Sequence, residues 1–420
     1  MKNSLLNDLH RRGLIAQTTK LESVSAQLNA ASVVYCGFDP TAGSLHVGHL
    51  VPLVMLKRFA DAGHKAIALI GGATGMIGDP SFKATERGMN SAEQVSKWTQ
   101  SLAAQIERIL APELNHDLTI VDNSEWFKQL DIITFFRNVG KHFAVNAMLN
   151  RDSVKQRLSR ENQGISFTEF SYALLQAYDF VHLNKHYQCT VQIGGSDQWG
   201  NLVDGVDLTR RLNNQEVHGI TLPLITKSDG TKFGKSETGT VWLDPNKTSP
   251  YAFYQFWLNV ADEDVYNFLR YYTFLSPQYI DSVEQKDKSS GTKPVAQSLL
   301  AKILTRFVHG TVGLDSAERI TTALFTGDLQ GLSLAEIKQL EMDGLPCMPT
   351  PKTKLLDELL VNTGVAGSKR IAREWINRGA IRVNGTAQRS TAIDKVKPLF
   401  NRYFIIQRGK KHFSLARVND

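Results

Sequence analysis

The sequence contains few cysteines and no long apolar stretch. Its three cysteines, Cys36, Cys189 and Cys347, are far apart and odd in number, which argues against a disulfide framework or a paired-cysteine zinc site. We therefore expect a reducing, cytoplasmic compartment. The longest apolar stretch, around residues 66–76, is broken by glycines, whereas a membrane-spanning helix needs about 20 apolar residues. Residues 1–13 lack the apolar core of a signal peptide, so we expect neither export nor a membrane segment.

Basic charge is concentrated near the end of the sequence. The 420-residue chain has a net charge of +7 with histidine neutral. Residues 352–420 contain 15 Lys and Arg against 5 Asp and Glu, a net charge of +10, whereas the remaining residues have a net charge of −3. A basic module on a slightly acidic body favours a polyanionic partner such as nucleic acid. A solvated surface would carry the same charge, so composition leaves both interpretations open.

Short β-like runs alternate with helical patterns as far as about residue 225. The predicted strands are rich in β-branched and aromatic residues and cover 32–38, 66–75, 118–123 and 189–195. The predicted helices have apolar residues three and four apart and cover 50–59, 91–110, 125–138, 167–183 and 198–212. This alternation predicts an α/β fold with a Rossmann-like parallel sheet. Several predicted strands end in glycines, and the carboxyl edge of such a sheet is where ligands bind.

The length of the chain predicts more than one hydrophobic core. Helical, aromatic-rich patterns follow the α/β region, and a segment with three prolines precedes the basic residues. We predict a Rossmann-like domain at 1–245, a helical domain at 246–330, a linker at 331–352 and a small basic α+β domain at 353–420.

Two segments carry residues suited to binding phosphate. In GFDPTAGSLHVGH, residues 37–49, glycines permit close backbone approach, and His46 and His49 lie one turn apart at a predicted helix start. A simple helix cap or half of a zinc site are alternative interpretations, although no further Cys or His cluster accompanies them. In KSDGTKFGKSETG, residues 227–239, Lys232 and Lys235 could neutralise developing negative charge. This loop is not a P-loop, and taken alone it could simply be solvated.

Together, HVGH and KFGKS resemble the HIGH and KMSKS signatures of class I aminoacyl-tRNA synthetases. The segments YCGFDPTAGSLHVGHL, YALLQAYDF, QIGGSDQWGN and KFGKS, in this order, are similar to those of the bacterial tyrosyl-tRNA synthetases, and the resemblance covers essentially the whole chain. It implies that the Rossmann-like domain is catalytic. The tyrosine carboxylate would attack the α-phosphate of ATP to give tyrosyl-adenylate and pyrophosphate. A ribose hydroxyl at the 3′ end of tRNA(Tyr) would then accept the tyrosyl group.

The resemblance also implies which residues handle ATP. ATP would be a co-substrate accompanied by Mg²⁺, with no tightly bound metal in the protein. Thr41, His46 and His49 are implied to hold ATP, with His46 on its phosphates. Lys232 and Lys235 are implied to clamp the pyrophosphate as the transition state forms, and these five residues are the implied catalytic set. The residues implied to contact the rest of the nucleotide are Gly37, Asp39, Gly48, Gly195, Asp197 and Gln198. Because the attacking carboxylate is already ionised, positioning and charge stabilisation would suffice for the first step.

A tyrosine pocket follows from the same resemblance. Tyr35 and Asp179 would bracket the phenol hydroxyl, and phenylalanine would leave both groups unpaired. The amino acid would also contact Asp79, Asn123, Tyr172, Gln176 and Gln192. The spacing of Tyr172, Gln176 and Asp179 is i, i+4 and i+7, which places them on one helix face. Such a polar stripe is unusual among the apolar residues of that segment.

The basic C-terminal region resembles a small RNA-binding module named after a ribosomal protein. The resemblance lies in KRIAREW, residues 369–375, and WINRGAIRVNG, residues 375–385. It implies RNA contacts by Lys369, Arg370, Arg373, Arg378 and Arg382. Phosphate contacts of this kind position RNA and do not read its sequence. The expected partners are thus tRNA(Tyr), tyrosine, ATP and a second copy of the chain, since the family is dimeric.

Two alternatives remain open from the sequence. The chain could bind RNA without catalysing a reaction, although the intact HVGH and KFGKS segments argue against this. It could also activate another amino acid, of which tryptophan is the nearest, and Asp179 facing Tyr35 is the discriminating feature.

Overall fold

The structure is a computed structural model, and it describes residues 4–81, 90–114, 118–151, 154–155, 158, 164–226, 228, 230, 233–236, 239–289, 291, 294–393, 396–409 and 412–419. The chain divides into two compact units. Unit 1 comprises Met1–Leu243 and Ala261–Ala296, and unit 2 comprises Asp244–Val260 and Gln297–Asp420. Within the described residues, no helix has both the length and the apolar character that crossing a membrane requires.

The strands are numbered here in chain order. They are β1 (Gln17–Thr18), β2 (Val33–Phe38), β3 (Lys65–Ile70), β4 (Thr119–Asp122), β5 (Cys189–Gly195), β6 (His218–Leu222), β7 (Lys235–Ser236), β8 (Gly239–Thr240), β9 (Cys347–Thr350), β10 (Ile381–Val383), β11 (Thr386–Gln388), β12 (Tyr403–Arg408) and β13 (His412–Val418).

The α-helices are numbered in the same way. They are α1 (Ser4–Arg11), α2 (Leu21–Gln27), α3 (Leu50–Asp61), α4 (Thr74–Ile77), α5 (Ala92–Leu110), α6 (Ser124–Phe127), α7 (Ile132–Asn138), α8 (Val145–Leu149), α9 (Phe167–Tyr187), α10 (Trp199–Asn213), α11 (Pro250–Leu258), α12 (Asp262–Tyr272), α13 (Pro277–Ser289), α14 (Ala296–Thr326), α15 (Leu334–Gln339), α16 (Leu356–Asn362) and α17 (Lys369–Asn377).

Unit 1 is built on a six-stranded sheet in the order β1-β6-β5-β2-β3-β4. Strands β2 to β6 pair in parallel, and β1 pairs antiparallel with β6. All five residues of β6 and residues 66–70 of β3 are buried, because strands of a parallel sheet are covered on both faces. The prediction of an α/β fold with a parallel sheet is therefore confirmed.

The order of the strands reverses beside β2. From β2 the chain first adds β3 and β4 on one side, and later adds β5 and β6 on the other side. At such a reversal the connections after the two central strands diverge and leave a crevice at the carboxyl edge. The segments bordering this crevice are the turn after β2, which leads into α3, and the turn after β5, which leads into α10.

Local sequence explains where the helices begin and end. The helix predicted over 167–183 is α9, which begins because Ser166 accepts a hydrogen bond from Glu169 N and ends at left-handed Gln188. The single helix predicted over 125–138 is instead divided into α6 and α7. The division arises because the Asp131 side chain accepts from Thr134 N, which caps a new helix within the apolar pattern.

Unit 2 contains a five-stranded sheet in the order β11-β10-β12-β13-β9. Residues alternate between its two faces along β12. Phe404 and Ile406 belong to a core with α16 and α17, whereas Tyr403 and Ile405 belong to a core with helices α11, α14 and α15. Both faces of the sheet are thus covered by helices from the same unit.

The two units differ from the predicted domains in two respects. The predicted helical domain, residues 246–330, is divided, because α12 and α13 cluster with unit 1 while α11 and α14 cluster with unit 2. The predicted linker, residues 331–352, contains α15 and β9, and β9 pairs in parallel with β13. Its prolines do not prevent pairing, since an edge strand tolerates a residue without a backbone donor.

Candidate active site

Four parallel strands end at the same edge of the unit 1 sheet. Asp39 follows β2, Gly71–Thr74 follow β3, Asn123 follows β4 and Ser196–Gln198 follow β5. Hydrogen bonds connect these strand ends. Thr74 Oγ1 donates to Asp39 Oδ1 at 2.7 Å, and the backbone N–H of Ala73 donates to Asn123 Oδ1 at 2.7 Å. The edge is therefore a connected polar network.

Asp179 on α9 is the most buried carboxyl group of this network, with 2% of its surface exposed. Its Oδ1 accepts a hydrogen bond from Trp126 Nε1 at 2.9 Å, and its Oδ2 accepts from Asn123 Nδ2 at 3.1 Å. Burial raises the pKa of Asp179 well above its usual range, and the two N–H donors oppose that shift. The donors fix the plane of the carboxyl group and leave further lone pairs available.

On the two central strands, β2 and β5, two buried side-chain oxygen atoms have no hydrogen-bond partner among the residues that the structure describes. They are the hydroxyl of Tyr35 on β2 and Oε1 of Gln192 on β5. The two residues are register partners on adjacent strands. Burial, followed by the charge of Asp179, raises the pKa of Tyr35 well above its usual value, so the phenol is neutral. Leaving a buried polar group without a hydrogen bond costs about 1–3 kcal/mol. A ligand that forms hydrogen bonds with both atoms would explain why they have no partner within the protein.

Tyr172 connects α9 with Asp39, the residue that follows β2. Its hydroxyl donates to Asp39 Oδ2 at 2.7 Å, and burial raises its pKa well above the usual value. This arrangement requires glycine at position 71. A Cβ atom there would lie 2.0 Å from Asp39 Oδ1 and 2.3 Å from Thr74 Oγ1. Gly71 thus allows the strand ends to approach closely.

A second chain of amides joins α9 to the turn after β5. Nδ2 of Asn201 donates to Gln176 Oε1 at 3.0 Å and to Gln198 Oε1 at 3.2 Å. Nε2 of Gln198 donates to Asp79 Oδ2 at 2.7 Å. Gln176, Gln198 and Asp79, each predicted in a different sequence segment, are therefore brought together.

The histidines of HVGH form a compact turn before α3. His46 Nδ1 accepts from Gly48 N at 3.0 Å, and His49 Nδ1 accepts from His46 N at 3.1 Å. The two rings are 4.0 Å apart between centroids. Burial is the main cause, and the neighbouring His46 ring the second, of the lowering of the pKa of His49 to about 3. With Nδ1 acting as acceptor, each neutral ring carries its proton on Nε2 and can donate it to a ligand.

Helix α5 forms hydrogen bonds with the residues that immediately precede the HVGH turn. Oε1 of Gln105 accepts from Ser44 Oγ at 2.9 Å and from Leu45 N at 3.1 Å. Backbone pairing with residues 241–243 adds two bonds, from Val47 N to Val241 O at 3.0 Å and from Leu243 N to Leu45 O at 2.8 Å. The HVGH turn is therefore fixed on two sides.

Gly234, the middle residue of the KFGKS segment, lies beside the HVGH turn. Gly234 has a φ of +110°, and a Cβ atom on it would lie 3.1 Å from Val47 Cγ2 and 3.8 Å from Gly48 N. Gly234 O also accepts from Val241 N at 3.3 Å. Lys235 pairs through its backbone with Thr240. Lys232 lies outside the described residues.

The other residues predicted to contact the nucleotide border open space. Thr41, Gly37 and Gly48 are exposed, and Asp197 and Gly195 are partly exposed. A Cβ atom on Gly195 would lie 2.5 Å from Asp197 Oδ1.

Three residues of the network were not identified from the sequence. Trp126 resembles a core residue, yet its indole N–H fixes Asp179. Thr74 connects Asp39 with Asn123, whose Nδ2 donates to Thr74 Oγ1 at 3.0 Å, and Asn201 connects the amides of α9 and α10. Thr74 and Asn201 follow glycine-rich strand ends, which is the signal that could have indicated them, whereas Trp126 follows β4, which ends without a glycine.

The predicted RNA-binding residues lie in unit 2, on α17 and beyond it. Arg370 is exposed and has no ion pair within the described part of the chain. The others at this helix are paired with acidic groups at 2.7–2.8 Å, as Lys369–Glu358, Arg373–Asp357 and Arg378–Glu374. These pairings reduce the cationic charge that α17 presents.

Arg382 lies elsewhere, beside a cavity of about 700 Å³ within unit 2. The same cavity is lined by Phe325, whose side chain is 90% exposed, and by Gln255 and Gln407. An exposed aromatic ring next to a guanidinium group and amides is suited to stacking with and hydrogen bonding to a nucleic-acid base.

Family models match almost the whole chain. Residues 27–326 match the class I tRNA synthetases for tryptophan and tyrosine, and residues 336–416 match the C-terminal domain of tyrosine–tRNA ligases. Tyrosine–tRNA ligase 1 of Vibrio vulnificus is 60% identical over 414 residues, covering 99% of this chain and 98% of that protein. The protein of the same name in Pseudoalteromonas translucida is 59% identical over 419 residues, covering all of both chains.

Solved structures agree with these matches. The C-terminally truncated mitochondrial tyrosyl-tRNA synthetase of Coccidioides posadasii has a TM-score of 0.67 at 30% identity, covering 76% of this chain and 92% of that chain. A tryptophanyl-tRNA synthetase of Encephalitozoon cuniculi shares the fold, with a TM-score of 0.54 at 14% identity, covering 80% of this chain and 90% of that one. The chain therefore belongs to the class I aminoacyl-tRNA synthetases for tryptophan and tyrosine.

Proposed function

We propose that the chain is a tyrosine–tRNA ligase, which forms tyrosyl-adenylate from tyrosine and ATP and then transfers the tyrosyl group to tRNA(Tyr). The observation that carries the choice of amino acid is the unpaired, buried hydroxyl of Tyr35 near the carboxyl group of Asp179. The names of the full-length relatives at 60% and 59% identity agree with it.

The pocket would recognise tyrosine through its phenol. The substrate hydroxyl would donate to a free lone pair of Asp179 and accept from the hydroxyl of Tyr35. Phenylalanine would leave both buried groups unpaired. Tyrosyl-tRNA synthetases are known to reject phenylalanine for this reason. Trp126 and Asn123 keep the Asp179 carboxyl group in place for this contact. The ammonium and carboxylate groups of the amino acid would contact Asp79, Tyr172, Gln176 and Gln192.

The first step needs no nucleophilic side chain. The ionised tyrosine carboxylate attacks the α-phosphorus of ATP, a P–O bond forms, and the bond to pyrophosphate breaks. The protein would act by holding the reactants and by stabilising charge on the phosphates. The Nε2 protons of neutral His46 and His49 would donate to phosphate oxygens, and Lys232 and Lys235 would neutralise the departing pyrophosphate.

ATP would enter the open side of the network. Gly37, Thr41 and Gly48 present backbone without bulky side chains there, and Asp39 and Asp197 would accept from ammonium or ribose hydroxyl groups. Mg²⁺ would arrive as part of the ATP complex, because this ion keeps several waters and binds through substrate phosphates. Among the described residues, no group of three or more His, Cys, Asp or Glu side chains is placed to hold a metal ion.

Unit 2 would bind the tRNA. Arg370 is exposed for a phosphate contact, whereas Lys369, Arg373 and Arg378 would have to exchange their carboxylate partners for phosphates. Arg382 and Phe325 would hold an unpaired base at the cavity that they line. Phosphate contacts would set the position of the RNA, and stacking would fix a single-stranded part of it.

The proposed enzyme is a cytoplasmic homodimer. All three cysteines are free thiols, which agrees with a reducing compartment. Unit 1 exposes large apolar side chains on three successive helices, α7, α8 and α9, namely Ile132, Ile133 (70% exposed), Phe136, Val145 and Phe167 (69% exposed). Exposed apolar side chains of this kind favour burial against a second copy of the chain. Sedimentation of the wild type against Ile133→Lys would test the dimer, since the charge should shift it toward monomer.

Tyrosine-dependent exchange between ATP and pyrophosphate, measured without tRNA, tests the activation step. We expect exchange with tyrosine and none above background with tryptophan or phenylalanine. Exchange with tryptophan would retain the fold and overturn the pocket assignment. Exchange with no amino acid, combined with RNA binding, would show instead that the chain binds RNA without catalysis. Charging of tRNA(Tyr) by the same preparation tests the second step.

A further inference from the structure

Helix α12 packs against described residues of the KFGKS loop. The ring of Phe233 contacts Phe268 and Tyr272 of α12, with ring centroids 4.4 Å and 6.1 Å away. Phe268 is 2% exposed and Tyr272 is fully buried. The partly buried aromatic residue between the two signature lysines of the sequence is thus packed against two buried aromatic residues of α12.

A polar contact adds to this packing at the other end of α12. Asp264, which is 6% exposed, accepts a hydrogen bond from the backbone N–H of Ser228 at 2.9 Å. Ser228 precedes Phe233 in the same loop. A charge-assisted bond from a buried carboxylate to a backbone N–H is among the stronger hydrogen bonds in proteins. α12 therefore holds the loop at two described points, one polar and one aromatic.

The carboxyl end of α12 is attached to the helix that begins at the HVGH turn. Arg58, near the end of α3, donates to Thr273 O, and Arg12 donates to Leu275 O at 2.7 Å and to Thr273 O at 3.4 Å. Both arginines are buried, and the guanidinium group of Arg58 lies over the ring of Phe274 at 5.2 Å. α3 and α12 together connect the two signatures through rigid elements.

We propose that Asp264 and Phe268 are positioning residues for adenylate formation, because they hold Ser228 and Phe233 so that the loop lies against the HVGH turn. This inference rests on the proposed function. The close approach of Gly234 to Val47 shows what the arrangement achieves, since the backbone beside the signature lysines reaches the histidine turn. Neither residue touches a substrate, so each acts only through the loop.

The experiment compares Asp264→Ala, Asp264→Asn and Phe268→Leu with the wild type in ATP–pyrophosphate exchange and tyrosine binding. Tyr266→Phe is the matched control, because it removes a hydrogen bond from the same helix to Asp287 that does not involve the loop. We expect Asp264→Ala to lower kcat roughly tenfold, the size of one lost charge-assisted hydrogen bond. Phe268→Leu should lower kcat in the same way.

The accompanying readouts separate positioning from general damage. Tyrosine affinity, measured by equilibrium binding, should stay within about twofold of the wild type in every variant, since the tyrosine pocket contains no atom of the loop. Asp264→Asn should restore most of kcat, because its amide oxygen can still accept from Ser228. Tyr266→Phe should leave kcat unchanged.

Three results would overturn the inference. One is unchanged kcat in Asp264→Ala and Phe268→Leu, and another is a loss of tyrosine binding in proportion to kcat. The third is an equal loss of kcat in Tyr266→Phe. If the wild type itself shows no tyrosine-dependent exchange, the proposed function fails, so the two failures are distinguishable.

Discussion

Replacing Tyr35 by phenylalanine should lower activity with tyrosine without lowering the stability of the fold. In the free protein the hydroxyl is buried and has no partner among the described residues. Its removal therefore breaks no hydrogen bond and relieves part of a desolvation cost of about 1–3 kcal/mol. We expect the midpoint of thermal unfolding to stay the same or to rise.

The same substitution should weaken the recognition of tyrosine. The bound phenol would lose one neutral hydrogen bond, which contributes about 0.5–1.5 kcal/mol, so kcat/KM for tyrosine should fall about 2- to 12-fold. Phenylalanine makes no use of the Tyr35 hydroxyl, so its kcat/KM should not fall. The ratio of the two values, measured by ATP–pyrophosphate exchange, should therefore decrease.

Tyr251→Phe is the control, since it removes the same atom from a buried tyrosine of unit 2. It should leave the discrimination between tyrosine and phenylalanine unchanged. Destabilisation of Tyr35→Phe by more than about 1 kcal/mol, the size of an average hydrogen bond, would mean that its hydroxyl has a structural partner. Unchanged discrimination would refute its role in the pocket.

Three further predictions follow from the described geometry. The pKa of His49 is about 3 in the folded chain against an ordinary value of 6.5, so the unfolded state binds more protons between these values and stability falls as pH falls through that window. His49→Asn, which keeps an acceptor for His46 N, should reduce the fall in denaturant midpoint between pH 6.5 and 5. Gly234→Ala should lower kcat of exchange, because its φ of +110° and its contact with Val47 oppose a Cβ atom. The associated backbone strain is about 1–3 kcal/mol. Phe325→Ala should raise KM for tRNA roughly tenfold if one base stacks on it, with amino-acid activation unchanged.

Each of these predictions has a result that would contradict it. If the denaturant midpoint of His49→Asn fell with pH as much as that of the wild type, His49 would not be the group that causes the fall. Wild-type kcat in Gly234→Ala would show that the loop can shift without cost. Equal tRNA charging by Phe325→Ala, with Gln407→Ala as a second probe of the same cavity, would remove that cavity from the RNA-binding surface.

Local patterns were sufficient to predict the catalytic framework. Residues 189–195 were predicted as a strand and form β5, and the polar stripe on the predicted helix of residues 167–183 faces the strand ends in α9. Both signals are short-range, because strand alternation and helix spacing depend on neighbours in the chain. The convergence of glycine-rich strand ends also follows from the topology of parallel sheets alone.

Tertiary pairing was not predictable in the same way. Trp126 resembles a core residue, and only the fold shows that its N–H meets Asp179 across 53 positions in the sequence. Arg373 looks free for RNA, but Asp357, 16 positions earlier, is buried beneath it. The division of residues 246–330 between units likewise depends on which surfaces the helices cover, and helical periodicity is the same in either unit.

The pairing of β9 with β13 has a consequence for the order in which the chain can fold during synthesis. Protein chains fold from the N-terminus as they emerge. β9 pairs with β13, which ends at Val418 and is synthesised after the other strands of this sheet. Leu415 of β13 also completes the core that contains Tyr251 and Ile320. Unit 2 can therefore close only after β13 has been synthesised, and chains terminated before β13 would leave that core open to chaperones and proteases.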